Sequence, residues 1–334
     1  MKIAYFLVLN ISGDSNGVKM QAETWAEALS ALGHHVEMIN PWGHYDWKSF
    51  DVIHFFGFGA WLEIVPALAE RTASKFVISP IIDTNRSHLL HKIASYCGIP
   101  ALHMTSPVNS LRRVRKHVSM FYARSDYEKQ YLNRSLDVDL SLITNIPLAI
   151  RLNHSAKDDS RRDPFCLHVS LLSSENKNVM RLIDAAIKHK FRLVLAGNPG
   201  TEQFKRELLN RTNKHDNIEV LGYVSEWKLE DLYATAKVFA LPSTFEGVGL
   251  VALEAAALGA DVVITNRGAP KEYYDGMAFL VNPFDMDDIG KTIAGVIEGK
   301  THQPRLRRHV LDNYSSARVA QLLEKSYLDV TSKK

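Results

Sequence analysis

The chain of 334 residues carries 40 Lys and Arg against 37 Asp and Glu, a formal net charge of +3. At ~100–200 residues per domain it is long enough for two domains with real cores, and the near balance of charge excludes a nucleic-acid binder working by bulk electrostatics. With 46% apolar and 23% charged residues, and with Gly and Pro nowhere concentrated, the collagenous, low-complexity and disordered classes are excluded as well. Ile3 to Leu9 is a continuous apolar run of strand length, followed by a polar loop from Asn10 to Gly17. Val18, Ala22, Trp25, Ala26, Leu29 and Leu32 then recur at helical spacing, Gly33 suits a helix C-cap, and His35 to Ile39 resumes strand character. Further strands are predicted at Val52 to Phe56 and Phe76 to Ile82, with helices at Trp61 to Arg71 and Ser87 to Cys97. Such alternation predicts a parallel sheet wrapped by helices.

From His154 to Pro164 the sequence is charged, poor in apolar residues and ended by proline, which predicts an exposed linker. A second alternating series follows: strands at Cys166 to Leu172, Arg192 to Ala196, Ile218 to Leu221, Val238 to Leu241 and Val262 to Thr265, with helices at Val179 to His189 and Glu202 to Leu209. The expected organisation is thus an N-terminal domain over 1–153, a linker over 154–164 and a C-terminal domain over 165–310. Residues 311–334, helical in pattern from Leu311 to Val330, are read as packing back on the N-terminal domain. Two Rossmann-like α/β halves bind ligands beyond the carboxyl ends of their strands, so the site is expected in a cleft between them.

Two cysteines, Cys97 and Cys166, make neither a disulfide framework nor a zinc site, and point to a reducing, cytoplasmic setting. No window has the apolar length of a membrane span; the richest, Leu250 to Thr265, is broken by Glu254 and Asp261. The apolar start lacks a cleavage site and reads as a buried first strand rather than a signal peptide.

The most informative segment runs from Pro242 to Ala255. A strand enters a loop with Glu246, the glycines Gly247 and Gly249 flank Val248, and the helix that follows carries Glu254. Counted as helix, eight residues at ~1.5 Å each separate the carboxylates by ~12 Å, too far for one acid/base pair. They would grip different parts of a long ligand. A nucleotide sugar has that length, with sugar hydroxyls at one end, a ribose diol at the other and a diphosphate suited to a helix N-terminus.

This segment resembles the E-x7-E signature of the retaining GT-B fold glycosyltransferases of family 4. Leu221-Gly222-Tyr223-Val224, Leu232-Tyr233-Ala234, Gly268-Ala269-Pro270-Lys271-Glu272 and Asn282-Pro283-Phe284-Asp285 extend the likeness. It is looser in the N-terminal half, at Asn16-Gly17-Val18 and Asp51-Val52-Ile53-His54. The resemblance implies the GT-B fold and transfer of a sugar, with retention, from a UDP- or GDP-sugar donor to a hydroxyl acceptor. The expected acceptor is a bacterial surface polysaccharide or lipid-linked glycan. It also implies Glu246 on the sugar hydroxyls, Glu254 on the ribose, and base contacts near Tyr223 and Val224. Gly247, Val248, Gly249 and Leu250 would line the donor.

Lys177 follows a strand and opens a helix, where a cation and free amides neutralise a departing diphosphate. The family pairs such a lysine with an arginine several residues earlier, where this chain has Leu171-Leu172; Arg267 is the proposed substitute. Lys177 and Glu246 are therefore the expected catalytic pair. In the N-terminal half the family's histidine near the sugar is replaced by Asp83-Thr84-Asn85-Arg86, and Asp83 reads equally as a sugar contact or a helix cap. Asn16 and Gly17 are candidates for acceptor or donor-phosphate contact. Asp137-Val138-Asp139, His88 with His91, and Gly197-Asn198-Pro199-Gly200 are each read as structural, so neither a metal nor another cofactor is expected. Arg112, Arg113, Arg115, Lys116 and His117 form a basic run, read as solvated surface with peripheral contact to anionic lipid at the inner face of the membrane as the alternative. A non-catalytic scaffold partnering another transferase and a nucleotide-sugar epimerase are the rival functions.

Overall fold

The computed structural model describes residues 1–7, 17–40, 42–99, 104–151 and 162–332. The chain divides into two units, Met1–Ala149 with Tyr314–Lys334, and Ile150–Asn313. The division at Ile150 precedes the predicted linker, whose residues 154–161 lie outside the described ones, and Asp163 and Pro164 already belong to a strand. The predicted C-terminal boundary at 311 falls inside a helix that runs from Arg305 to Tyr314.

In the first unit β1 (Lys2–Leu7) leads to α1 (Gly17–Ala31), β2 (His35–Met38) and β3 (Val52–Phe56). Then come α2 (Val65–Ala69), β4 (Lys75–Ser79), α3 (His88–Tyr96), the two-residue strands β5 (Gly98–Ile99) and β6 (Met104–Thr105), and α4 (Pro107–Val114). β7 (Met120–Ala123), α5 (Asp126–Leu136) and β8 (Ile143–Asn145) complete the series. The predicted helix from Trp61 is shorter: Ala60–Ile64 is a 3-10 turn, and Pro66 sits in the first turn of the five-residue α2. The sheet order is β2-β1-β3-β4-β7-β8 with every pairing parallel. All five residues of β3 are buried, as expected of a central parallel strand covered on both faces. α1 buries Ala22, Trp25 and Leu29 from its apolar stripe, and Gly33 at φ +88 ends it in the left-handed conformation that glycine adopts without strain.

The second unit comprises β9 (Asp163–Val169), α6 (Val179–His189), β10 (Arg192–Ala196), α7 (Glu202–Thr212), β11 (Ile218–Gly222) and α8 (Glu226–Thr235). It continues with β12 (Ala236–Leu241), α9 (Leu250–Ala257), β13 (Asp261–Thr265), β14 (Phe279–Val281), α10 (Met286–Ile297) and α11 (Arg305–Tyr314). The order β11-β10-β9-β12-β13-β14, all parallel, is the doubly wound order of a dinucleotide-type fold. The order of strand addition reverses between β9 and β12, so the loops leaving these two strands flank the switch point where such sheets take ligands.

The last helix, α12 (Ser316–Ser332), belongs to the first unit. Val319, Leu323, Tyr327 and Val330 share a core with Tyr5, Trp25, Phe56 and Val77. Inside it the Tyr327 hydroxyl meets His54 Nδ1 at 2.6 Å and the Tyr5 hydroxyl at 3.2 Å, and His54 Nε2 meets Ser79 Oγ at 2.9 Å. Burial holds the His54 imidazole neutral, well below its ordinary range. Val52, Ile53 and His54 of the N-terminal motif segment are therefore core rather than ligand surface, and Asp51 before them is exposed.

Candidate active site on the second sheet

Three loops meet at the carboxyl edge of the second sheet: 170–178 after β9, 242–249 after β12 and 266–269 after β13. Two asparagines clamp the first two together. Asn176 accepts from Thr244 N through its carbonyl at 2.8 Å, and its side-chain oxygen accepts from the Thr244 hydroxyl at 2.7 Å and Phe245 N at 3.1 Å. Asn178, held at φ +59, donates to the Pro242 carbonyl at 2.9 Å and the Pro283 carbonyl at 2.7 Å. These bonds bring the two expected catalytic side chains into contact. Lys177 Nζ lies 2.8 Å from Glu246 Oε2, and Ser243 Oγ donates to the same oxygen at 2.9 Å.

The third loop is tied in through backbone. Glu246 N donates to the Arg267 carbonyl and Ala269 N to the Glu246 carbonyl, both at 3.2 Å. Gly268, at φ +95, lets the strands touch, since a Cβ there would stand 1.9 Å from the Glu246 carbonyl oxygen. Arg267 itself is exposed, its guanidinium 5.6 Å from the Phe284 ring centroid. Leu171 and Leu172, where the resemblance would place an arginine, divide: Leu171 is 52% exposed and Leu172 is core.

Gly249 sits at φ +83 before α9, so the segment from Glu246 to Gly249 is loop. The uniform helical spacing between Glu246 and Glu254 is thus corrected: helix begins only at Leu250. Gly247, Val248 and Gly249 are buried and Leu250 is half-buried. α9 is buried from Ala252 to Ala257, which carries Glu254 into the interior at 3% exposure. Desolvation raises its carboxyl to about 7 despite Arg151, whose Nε and Nη2 both donate to Oε1 at 3.1 Å. Arg151 is the functional candidate that sequence reasoning missed; it stands just before the charged stretch and belongs to no motif. Beneath the site His168 on β9 bridges the Ala240 carbonyl and Ser170 Oγ, each at 2.8 Å, and burial lowers its pKa to about 4. Tyr223 and Val224 lie on the loop after edge strand β11, Tyr223 74% exposed.

In the first unit Asp83 pairs with Arg124 at 2.7 Å, and Arg124 pairs with Glu128 at 3.0 Å. The capping alternative is thereby overturned, because Ser87 occupies the N-cap of α3. Gly17 is the exposed first residue of α1, with none of the described residues within 4 Å of where a Cβ would stand, and Asn16 lies outside the described residues. Asp137 and Asp139 are structural: Asp137 pairs with Lys92 at 2.6 Å and Arg112 at 2.9 Å, and Asp139 caps a 3-10 turn. Among the described residues no group of three or more His, Cys, Asp or Glu could hold a metal ion.

Across nearly its whole length the chain superposes on solved glycosyltransferases. A glycosyltransferase from Rickettsia africae ESF-5 is 17% identical at a TM-score of 0.76, covering 99% of both chains. Anabaena Alr3699/HepE in complex with UDP is 17% identical at the same score, covering 98% of this chain and 100% of that one. The fold is GT-B. Within this GT-B chain, residues 151–314 match the family model "Glycosyl transferases group 1". The O-antigen chain mannosyltransferase B of Escherichia coli is 33% identical over 114 residues, 34% of this chain and 30% of that protein. The chain spans between 23% and 35% of the lengths of the first three curated relatives it matches. The matched region 151–314 contains Lys177, Glu246, Glu254 and Arg267, and it begins at Arg151.

Proposed function

We propose that this protein is a retaining glycosyltransferase that moves a hexosyl group from a UDP- or GDP-sugar to a hydroxyl of a growing, lipid-carried surface glycan. The observation that carries this reading is the Lys177–Glu246 contact at the switch point of a sheet whose sequence matches the group 1 family. The named activity of the Escherichia coli relative and the UDP held by the Anabaena neighbour support the donor and acceptor classes.

In this reading Lys177 offsets the charge that develops on the leaving diphosphate, and Glu246 orients both Lys177 and the sugar hydroxyls. Glu254 holds the ribose with Arg151 beside it, and Arg267 adds a second cation from the β13 loop. Tyr223 and Val224 stand near the base; Asp83, Gly17 and Asn16 serve the acceptor side. The anomeric carbon's bond to the phosphate oxygen breaks while its bond to the acceptor oxygen forms on the same face. The acceptor's proton passes to the departing phosphate, so no separate base is required. The diphosphate charge is met by side chains and helix amides, and turnover is expected to survive EDTA. Complete loss in EDTA, restored by manganese, would overturn that part.

The test is a panel of nucleotide sugars screened for thermal stabilisation, since a ligand that binds only the folded state raises its apparent stability. Turnover with glycan acceptors is then measured on whichever donor stabilises. One observation favours a second reading: Leu171 stands exposed where a phosphate-binding arginine belongs, as in a scaffold that binds donors without using them. Nucleotide release separates the two.

A further inference from the structure

A carboxylate that is to hold ribose hydroxyls must stay ionised and must keep an oxygen clear, and burial opposes both. Glu254 meets that conflict through Arg151. Nε and Nη2 of Arg151 converge on Oε1, each at 3.1 Å, so the pair is one-sided: Oε2 accepts from none of the described residues. Nor is Oε2 shut in without a partner, as the Tyr233 hydroxyl is on α8, the helix packed against α9. The Arg151 side chain is 29% exposed, so one flank of the pair lies at the surface, where a ligand can reach it.

We propose that Arg151 is a positioning residue for the nucleoside end of the donor: by claiming one oxygen of Glu254, it aims the other at the ribose 2′- and 3′-hydroxyls. The proposal rests on the reading of Glu254 as the ribose ligand and adds to it a residue that acts only through Glu254. The arginine also decides charge. Burial raises the Glu254 carboxyl to about 7, with Glu230 and Glu226 on α8 adding to the rise and Arg151 opposing it. Tyr233 on the same helix is kept neutral by its own burial. Without Arg151, burial and two like charges act unopposed, and the carboxyl would be protonated at neutral pH. Ribose hydroxyls donate more strongly to a carboxylate than to a neutral acid, so donor affinity should rise as pH rises through about 7.

The test is the affinity of the intact protein for UDP-glucose and GDP-mannose from about pH 5.5 to 8.5, by calorimetry. Both probes carry diesterified phosphates, which do not titrate in that window. Whichever binds should bind roughly tenfold more tightly at the alkaline end, the difference between a charge-assisted and a neutral hydrogen bond. Arg151→Ala should move that rise up by about one pH unit or more, since an opposite charge in contact commonly shifts a carboxyl that far. Arg151→Lys should return it towards its original place, and Glu254→Gln should bind weakly with no rise at all. If the alanine variant does not fold, Arg151→Gln removes the charge while keeping a donor. A purely structural arginine would lower affinity equally at every pH with the rise unmoved. That result, or a flat profile in the unsubstituted protein, overturns the role of Arg151 and leaves the transferase reading standing. No binding of either nucleotide sugar at any pH overturns both.

Discussion

Lys177 and Glu246 meet across 2.8 Å although 69 positions separate them in sequence. A preorganised cation at a leaving group commonly contributes roughly 3–4 kcal/mol to the barrier, so Lys177→Ala should lower kcat by roughly two to three orders of magnitude. Acceptor KM should barely move, which steady-state kinetics will check. Glu254 and His168 make a second pair of opposites at this scale. Buried His168 has a folded pKa depressed from 6.5 to about 4, so its contribution to stability is lost as pH falls through that window. Buried Glu254 has a folded pKa raised from 4.5 to about 7, so its contribution is present below pH 4.5 and lost as pH rises towards 7. Each window corresponds to on the order of 3 kcal/mol, opposite in sign between pH 4.5 and 6.5. Relative to the unsubstituted protein, His168→Asn should lose stability as pH rises and Glu254→Gln should gain it. Urea-unfolding midpoints across that range decide the matter; parallel profiles for both variants would contradict the assignment.

At the scale of elements, the candidate site depends on a loop that only glycine can close. Gly268 combines φ +95 with a carbonyl 1.9 Å from where its Cβ would stand, whereas Gly276 at φ +73 faces open space. Gly276→Ala should therefore cost only about 1 kcal/mol of left-handed strain. Gly268→Ala must also push the β13 loop off Glu246, and should cost several-fold more while weakening nucleotide binding. Thermal melts with and without UDP separate the two variants. Arg162 shows how an element boundary can mislead. It stands in a run that reads as linker, yet its Nη1 donates to the Tyr233, Ala234 and Ala236 carbonyls at 3.3, 2.9 and 3.1 Å, and its Nη2 donates to the Leu258 carbonyl. Removing it leaves several part-buried acceptors unsatisfied, so Arg162→Ala should destabilise the second unit by about 2–3 kcal/mol.

At the scale of the whole molecule, the chain folds its first unit from both of its ends. Tyr327 on α12 is fully buried and completes the hydroxyl–imidazole chain of Tyr5, His54 and Ser79. Tyr327→Ala removes a large aromatic from a packed core and should cost about 3–5 kcal/mol. Tyr327→Phe keeps the ring and strips only the hydroxyl bonds, costing about 1–3 kcal/mol because buried His54 Nδ1 loses its partner while Nε2 keeps Ser79. Deleting the chain from Ser316 onward should unfold the first unit before the second, visible as a split calorimetric transition. A single unshifted transition would show that α12 contributes nothing to that core.

The alternation of strand and helix was legible in sequence because each local pattern reports burial. The continuous apolar run at Val52 to Phe56 marks a strand covered on both faces, and the apolar stripe from Val18 to Leu29 marks a helix covered on one. The loop carrying Glu246 was legible for a similar reason, since Gly249 marks a backbone turn that a side chain resists. What tertiary structure alone decided is which distant groups meet. Arg151 reaches Glu254 across 103 positions, and Tyr327 reaches His54 across 273. Neither leaves a local signal, because a parallel sheet collects loop ends and helix faces according to strand order, and strand order is not written in any single stretch of the chain. The depth of Glu254 has the same origin. Its neighbours Ala252 to Ala257 read as an ordinary helix, and only packing on all sides turned its carboxylate into a buried acid with a raised pKa.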